Sequence, residues 1–248
     1  MIRNDRIRPE KQVHSNYTKE DFDVWKLLYN RQTELLNKYA SKDFLKALDI
    51  IGFSADRIPD FKRIEEALAP LTGWSLVTVP NISEQKEFFE FLSKKRFTAT
   101  CWLRRMDELD YLEEPDMFHD VFGHVPLLSN KAYTDFFEAI SHIALKHIEN
   151  PRAIELLGRI YWFTIEFGLI REEDKLKVYG AGIISSFGET NNCLLDSTQK
   201  FDFNVRQILQ TEFRTDILQD KYFVIESYDQ LYESIPEIEK ELNQLLEE

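Results

Sequence analysis

Among 248 residues, His119 and His124 are two of only five histidines, and they stand five apart in the stretch EPDMFHDVFGHVP (114–126). That spacing restricts the local fold more than any other feature of the chain. Successive residues of an α-helix turn by about 100°, so side chains four apart share a face while side chains five apart diverge by about 140°. For both imidazoles to meet one ion, an α-helix carrying His119 must end before His124. Gly123 readily takes the left-handed conformation that closes a helix, and Pro126 discourages continuation. The expected local structure is a short helix, a glycine stop, and a loop that swings the second imidazole back.

A chain of this length can bury the core of one domain. Its apolar content of 43%, with 19 phenylalanines, fits a globular chain with an aromatic-rich interior or pocket. The formal charge of −13 argues against nucleic acid and anionic membrane surfaces as partners, since both are bound by basic patches. Cys101 and Cys193 are the only cysteines, which is no disulfide framework and fits a reducing, cytoplasmic location. The opening MIRNDRIRPEKQ has no apolar segment like a signal peptide, and no run approaches the roughly 18 apolar residues of a membrane span.

Along the chain, residues 1–17 read as a polar surface arm. Thr18-x-x-Asp21 resembles a capping box opening a helix with Phe22, Trp25, Leu28, Leu35 and Leu36 at helical spacing. A second helix is expected from Ser41 to Gly52 and a third after Pro59. Trp74–Val79 and Phe97–Leu103 read as short strands flanking a helix over Ser83–Ser93. Arg104–Glu114 is loop-like. Asn130–Ile148 is a well-patterned helix, and Asn150-Pro151, a cap followed by proline, opens another expected to run to about Ile170. Lys175–Ile184 suggests a strand or hairpin bent by Gly180 and Gly182, and an acidic amphipathic helix is expected over about 228–248. With no repeats, low-complexity tracts or linkers, the expectation is one mainly α domain with a few short β-strands.

Two histidines do not complete a catalytic metal site. The helix after Pro151 carries YWFTIEFGLI (161–170), ten residues with the single charge of Glu166. A lone carboxylate in such surroundings costs several kcal/mol unless it is paired or coordinated. An alternative is a solvated stripe of Arg152, Glu155, Arg159 and Glu166, although Trp162 and Phe163 interrupt it. His119, His124 and Glu166 together would make a two-histidine, one-carboxylate set suited to non-haem Fe(II) with open positions for dioxygen. Zinc hydrolases use the same donors, but their helical signature places histidines four apart with a glutamate after the first. Here the spacing is five and Asp120 follows.

These segments resemble a known family. EPDMFHDVFGHVPLL (114–128), IYWFTIEFGLI (160–170) and VYGAGIISSFGE (178–189), with weaker similarity over about 71–227, resemble the catalytic domain of the aromatic amino acid hydroxylases, especially short bacterial phenylalanine 4-monooxygenases. The resemblance implies a helical basket and a monooxygenase that uses Fe(II), a tetrahydropterin and O2 to convert L-phenylalanine to L-tyrosine. It places iron on His119, His124 and Glu166, and the substrate carboxylate on Arg104, whose planar fork suits it. It implies Pro115, Trp162 and Phe167 around the substrate ring, with Ser185 near the amino acid end. Asp116, Tyr161, Ser186 and Glu189 would stand behind the contacting residues. Phe88 would stack on the pterin and Asp120 would face the pterin or bound water.

Each of these side chains also has a plainer reading as core packing, turn or surface. The pterin region around Val79–Phe88 matches only loosely. Tryptophan at position 162 goes with phenylalanine and tyrosine substrates rather than tryptophan, and Phe213–Ile217 is the region expected to separate the first two. The same chemistry on tyrosine or tryptophan, or a zinc hydrolase, are the alternatives. No animal-type regulatory segment is expected, and 235–248 is short for a tetramerising coiled coil, so a monomer with at most a weak self-contact is expected. His14, His142 and His147 are left over, His142 being placed to pair with Glu138.

Overall fold

The structure is a computed structural model that describes residues 7–110, 112 and 114–248; residues 1–6 of the expected arm lie outside the described residues, as do 111 and 113 of the loop. Helix α1 (Lys19–Tyr39) starts with the expected capping box, Thr18 and Asp21 each accepting the other's backbone N–H. Helix α2 (Lys42–Ile51) is capped by Ser41 and closed by Gly52 at φ 73°, a conformation open to glycine without a Cβ penalty. Helix α3 (Phe61–Leu68) begins on the Asp60 cap. Strand β1 (Ser75–Thr78), helix α4 (Gln85–Leu92) and strand β2 (Arg96–Ala99) form a crossover unit with β1 and β2 parallel. The strand expected over 97–103 stops at Ala99. Beyond it the backbone turns to buried carboxylates: Thr100 N–H donates to Asp120 and Arg104 N–H to Asp116.

The expected glycine stop does not occur. Phe118–His124 is a π-helix that runs directly into a 3-10 turn, Val125–Ser129. A π-helix bonds residue i to i+5, so side chains five apart come nearly above one another. The spacing that forbids an α-helix from aiming both imidazoles at one point is what this helix requires. Gly123 is not at positive φ. A Cβ there would stand 3.0 Å from the Ala181 carbonyl oxygen, so glycine permits a close approach of two backbones. Pro126 lies in the first turn of the 3-10 segment, where a missing N–H costs nothing. On the far side of the π-helix, Phe118 and Phe122 stack at 4.6 Å and meet Trp25 edge-on, fixing the segment in the core.

Helices α5 (Lys131–Lys146) and α6 (Pro151–Tyr161) follow, capped by Asn130 and Asn150. Instead of continuing to Ile170, α6 passes into a second π segment, Trp162–Glu166, in which Phe167 N–H reaches the Trp162 carbonyl at 2.8 Å. Leu169–Glu172 is strand β3, paired antiparallel with β4 (Lys175–Val178). A short apolar run such as GLI reads equally as helix or strand, and here distant partners decide. Ala181–Ile184 is helix α7, so the expected hairpin ends at Val178. Gly180 and Gly182 allow contact rather than bending: a Cβ on Gly180 would fall 2.3 Å from the Glu166 carbonyl oxygen.

Helix α8 (Phe187–Asn192), strand β5 (Gln199–Asp202), helix α9 (Val205–Gln210) and strand β6 (Lys221–Ile225) complete a four-stranded sheet of order β4-β3-β6-β5. The single C-terminal helix expected over 228–248 is two, α10 (Tyr228–Glu233) and α11 (Ile235–Glu247), divided at Ser234. The described part of the arm is tied down. Gln12 bridges the Pro59 carbonyl and Phe61 N–H, and the Tyr17 hydroxyl donates to the Cys101 carbonyl at 2.8 Å. The architecture is the expected mainly α basket with two small sheets, and no described helix is long and apolar enough to cross a membrane.

Candidate metal centre

The two π segments face each other and bring three donors together. His119 Nε2 and His124 Nε2 are 3.3 Å apart; Glu166 places one oxygen 3.2 Å from His124 and the other 3.7 Å from His119. Among the described residues this is the one converging group of three or more His, Cys, Asp or Glu ligand atoms. Side-chain exposure is 2% at His124, 13% at Glu166 and 21% at His119, so the cluster opens on its His119 side. The solvated-stripe reading of Glu166 therefore fails: Arg159 is buried and turns to the Leu209 carbonyl and Glu155 instead.

Hydrogen bonds fix which nitrogen of His119 is free. Ser185 Oγ donates to the Ala181 carbonyl at 2.8 Å, so towards His119 Nδ1, 2.9 Å away, it acts as the acceptor. Nδ1 then carries the proton and the Nε2 lone pair points into the cluster. Burial pushes His119 down to about 4 despite the pull of Glu166, so it is a neutral ligand near pH 7. Burial pushes Glu166 up, but His124, His119 and a hydrogen bond from Tyr161 outweigh it and hold the carboxylate at about 2. His124 is oriented by the Phe97 ring at 4.9 Å. Two imidazoles and an ionised carboxylate, with one side open, are the donors that suit Fe(II).

Arg104 is buried beside this cluster. Its Nε and Nη2 grip Asp116 at 3.0 and 2.8 Å, and Nη1 reaches the Leu109 carbonyl at 3.3 Å. A guanidinium has five N–H donors, so two remain on the edge away from Asp116. Asp116, fully buried, also accepts the backbone N–H of Arg104 and of His119, and so fixes the first turn of the π-helix. Burial raises both Asp116 and the cost of the pair, yet Arg104 holds the carboxyl below its usual range. Asp120 is the opposite case. Burial pushes it up to about 7, although Thr100 donates to it through both N–H and hydroxyl.

The remaining expected residues fall into two groups. Trp162 packs on Phe167 at 4.5 Å, and Tyr161, bonded to Glu166, meets Phe88 edge-on at 5.8 Å, so these rings adjoin the cluster. Pro115 is half-buried beside Asp116. Ser186 and Glu189 are not brought to the three donors: Ser186 caps α8, and Glu189 accepts from Gln219 N–H and the Tyr222 hydroxyl. His142 and Glu138 form no bond; Glu138 faces Lys95. Sequence reasoning missed Thr100, which holds Asp120, and Gln219, which accepts the Trp162 indole N–H at 3.0 Å. Nothing local in the sequence marks either, since each acts on a residue far along the chain.

Comparison with known proteins agrees with this geometry. The sequence profile described as biopterin-dependent aromatic amino acid hydroxylase matches residues 8–247. A phenylalanine-4-hydroxylase of Ralstonia nicotianae is 44% identical over 226 residues, covering 91% of this chain and 72% of the relative. One from Chromobacterium violaceum is 42% identical over 219 residues, covering 88% and 73%. The crystal structure of the C. violaceum phenylalanine hydroxylase with bound iron(III) and 7,8-dihydrobiopterin superimposes with a TM-score of 0.89 at 41% identity, covering 94% of this chain and 84% of that one. With a profile match over nearly its whole length and relatives above 40% identity, this chain belongs to the biopterin-dependent aromatic amino acid hydroxylases.

Proposed function

We propose that this protein hydroxylates the ring of L-phenylalanine to give L-tyrosine, with Fe(II) on His119, His124 and Glu166 and a tetrahydropterin and O2 as cosubstrates. The convergence of the three donors on one point, open on one side, carries the reading. When bound, iron and the reduced pterin supply the activation of dioxygen; the chain supplies position and a dry site. Asp116 holds Arg104 so that its remaining N–H edge receives the substrate carboxylate, which fixes one end of the amino acid. Trp162 and Phe167, with Pro115, confine the aromatic ring at the other end. Ser185 keeps His119 in the tautomer that coordinates. Phe88, reached from the ligands through Tyr161, offers a ring face to the pterin, and Asp120, held by Thr100, faces the pterin or bound water.

Phenylalanine is favoured because the relatives above 40% identity are phenylalanine-4-hydroxylases. We further infer a cytoplasmic monomer, in keeping with two buried free cysteines and a formal charge of −13. The test is anaerobic loading with Fe(II), then tetrahydropterin, air and phenylalanine, tyrosine or tryptophan in separate reactions, with products separated by chromatography. Tyrosine formed from phenylalanine supports the assignment; no hydroxylated product from any of the three discards it. Zn(II) loading should give none.

A further inference from the structure

Gln219 precedes β6 and is 6% exposed, with every polar atom engaged. Its side-chain oxygen accepts the Trp162 indole N–H at 3.0 Å, and its side-chain nitrogen donates to the carbonyls of Arg214 and Ile217 at 2.7 and 3.0 Å. Its backbone N–H donates to Glu189 at 2.9 Å, and its carbonyl accepts from Asn192 at 2.7 Å. The side-chain amide therefore ties the indole edge to a loop, and the backbone of the same residue ties both to α8. None of residues 211–218 is buried. The loop is held against the site by the Gln219 clasp, by the stacking of Phe213 on Trp162 at 4.3 Å and 13°, and by Phe213 meeting Phe163 edge-on, with Glu212 3.9 Å from Arg159.

Trp162 lies in the same π segment as Glu166 and packs on Phe167. Its tilt therefore decides how wide a ring can stand beside the three donors. An apolar residue at 219 could fill the space but could not accept from the indole and donate to two carbonyls at once. We propose that Gln219 is a positioning residue that sets ring selectivity by locking Trp162 and the 211–218 loop into one rigid wall. This rests on the reading of the site as an aromatic amino acid hydroxylase.

The experiment compares the iron-loaded wild type with Gln219→Met, Gln219→Asn, Trp162→Phe and the Gln219→Met/Trp162→Phe double variant, using tetrahydropterin and either phenylalanine or tryptophan. Losing one such hydrogen bond is worth roughly a 3–10-fold effect. Gln219→Met is expected to raise KM for phenylalanine by about that factor with kcat within about twofold, and to lower the phenylalanine-over-tryptophan preference similarly. Trp162 fluorescence should shift as the indole loosens. In the Trp162→Phe background, where there is no indole N–H, the effect of Gln219→Met should shrink below about twofold. Gln219→Asn keeps an amide one methylene too short to span indole and loop, so it should relax selectivity in the same direction and carries the comparison if the methionine variant does not fold. Folded variants with KM and preference within about twofold of wild type, or an undiminished effect in the Trp162→Phe background, overturn the proposal. A wild type inactive on all three amino acids removes the enzymatic reading and this proposal with it; an active wild type with indifferent variants removes only this one.

Discussion

Arg104→Ala should unfold more of this protein than a substrate-binding role alone would suggest. Arg104 is 9% exposed and Asp116 not at all, and the substitution removes two of the four hydrogen bonds that the Asp116 carboxylate accepts. Breaking a buried ion pair from one side costs about 3–5 kcal/mol, because the remaining charge is left in a medium that cannot solvate it. For a chain of this size, each kcal/mol moves Tm by about 2–4 °C, so the expected loss is roughly 6–20 °C. The sign of the pH dependence follows from the same groups. In the wild type, Arg104 depresses Asp116, so its stabilisation is complete above the unfolded carboxyl's ordinary range and is lost only as pH falls through the lower folded value. Between pH 7 and 5 this pair should leave wild-type stability unchanged. In Arg104→Ala, burial is opposed only by the two backbone N–H donors that remain, so Asp116 rises, and the deficit should narrow as pH falls from 7 towards 5 and the carboxyl takes up a proton. Calorimetric melts at several pH values, on both proteins without iron, measure this. Replacing both partners, Arg104→Met with Asp116→Leu, should recover much of the loss. A single variant within about 1 kcal/mol of wild type, with a flat pH response, would refute the reasoning and leave Arg104 a purely ligand-facing residue.

Ser185→Ala removes the acceptor that holds His119 in its coordinating tautomer and should weaken Fe(II) affinity by about 10–100-fold, measured by competition with a chelator. Glu166→Ala should abolish phenylalanine hydroxylation and iron retention together, read by product analysis and metal content; retained stoichiometric iron would show that another group completes the site. Gly180→Ala puts a Cβ against the Glu166 backbone and should cost about 1–3 kcal/mol and displace that ligand, seen as lower Tm with weakened iron binding. Burial raises the thiols of Cys101 and Cys193 to about 11 and 12, so both should resist alkylation by iodoacetamide at pH 8 in the folded protein and react readily in denaturant.

Local chemistry made much of the helical frame legible. The Thr18 box, the Ser41, Asn130 and Asn150 caps and the Gly52 terminus each act within a few residues, so each could be placed from sequence. The strand β3 could not, because Leu169 and Ile170 owe their conformation to Val224 and Ile225 more than fifty residues later. In the site, the three donors were accessible from residue type and the apolar setting of Glu166, but the route was wrong. An α-helical geometry was assumed for 118–124, and the glycine that suggested an end turned out to serve a contact with Ala181. The Arg104–Asp116 pair and the Gln219 clasp join residues whose meeting is decided only by the assembled fold.

The pair of wide helical turns makes the centre depend on a count of residues rather than on side-chain identity alone. Adding one residue within 120–122 would set the two histidines six apart, carrying everything beyond the insertion by about 100° around the axis and sending the His124 imidazole elsewhere even though no donor had been changed. Chain length within those few positions is as much a part of the machinery as the imidazoles themselves.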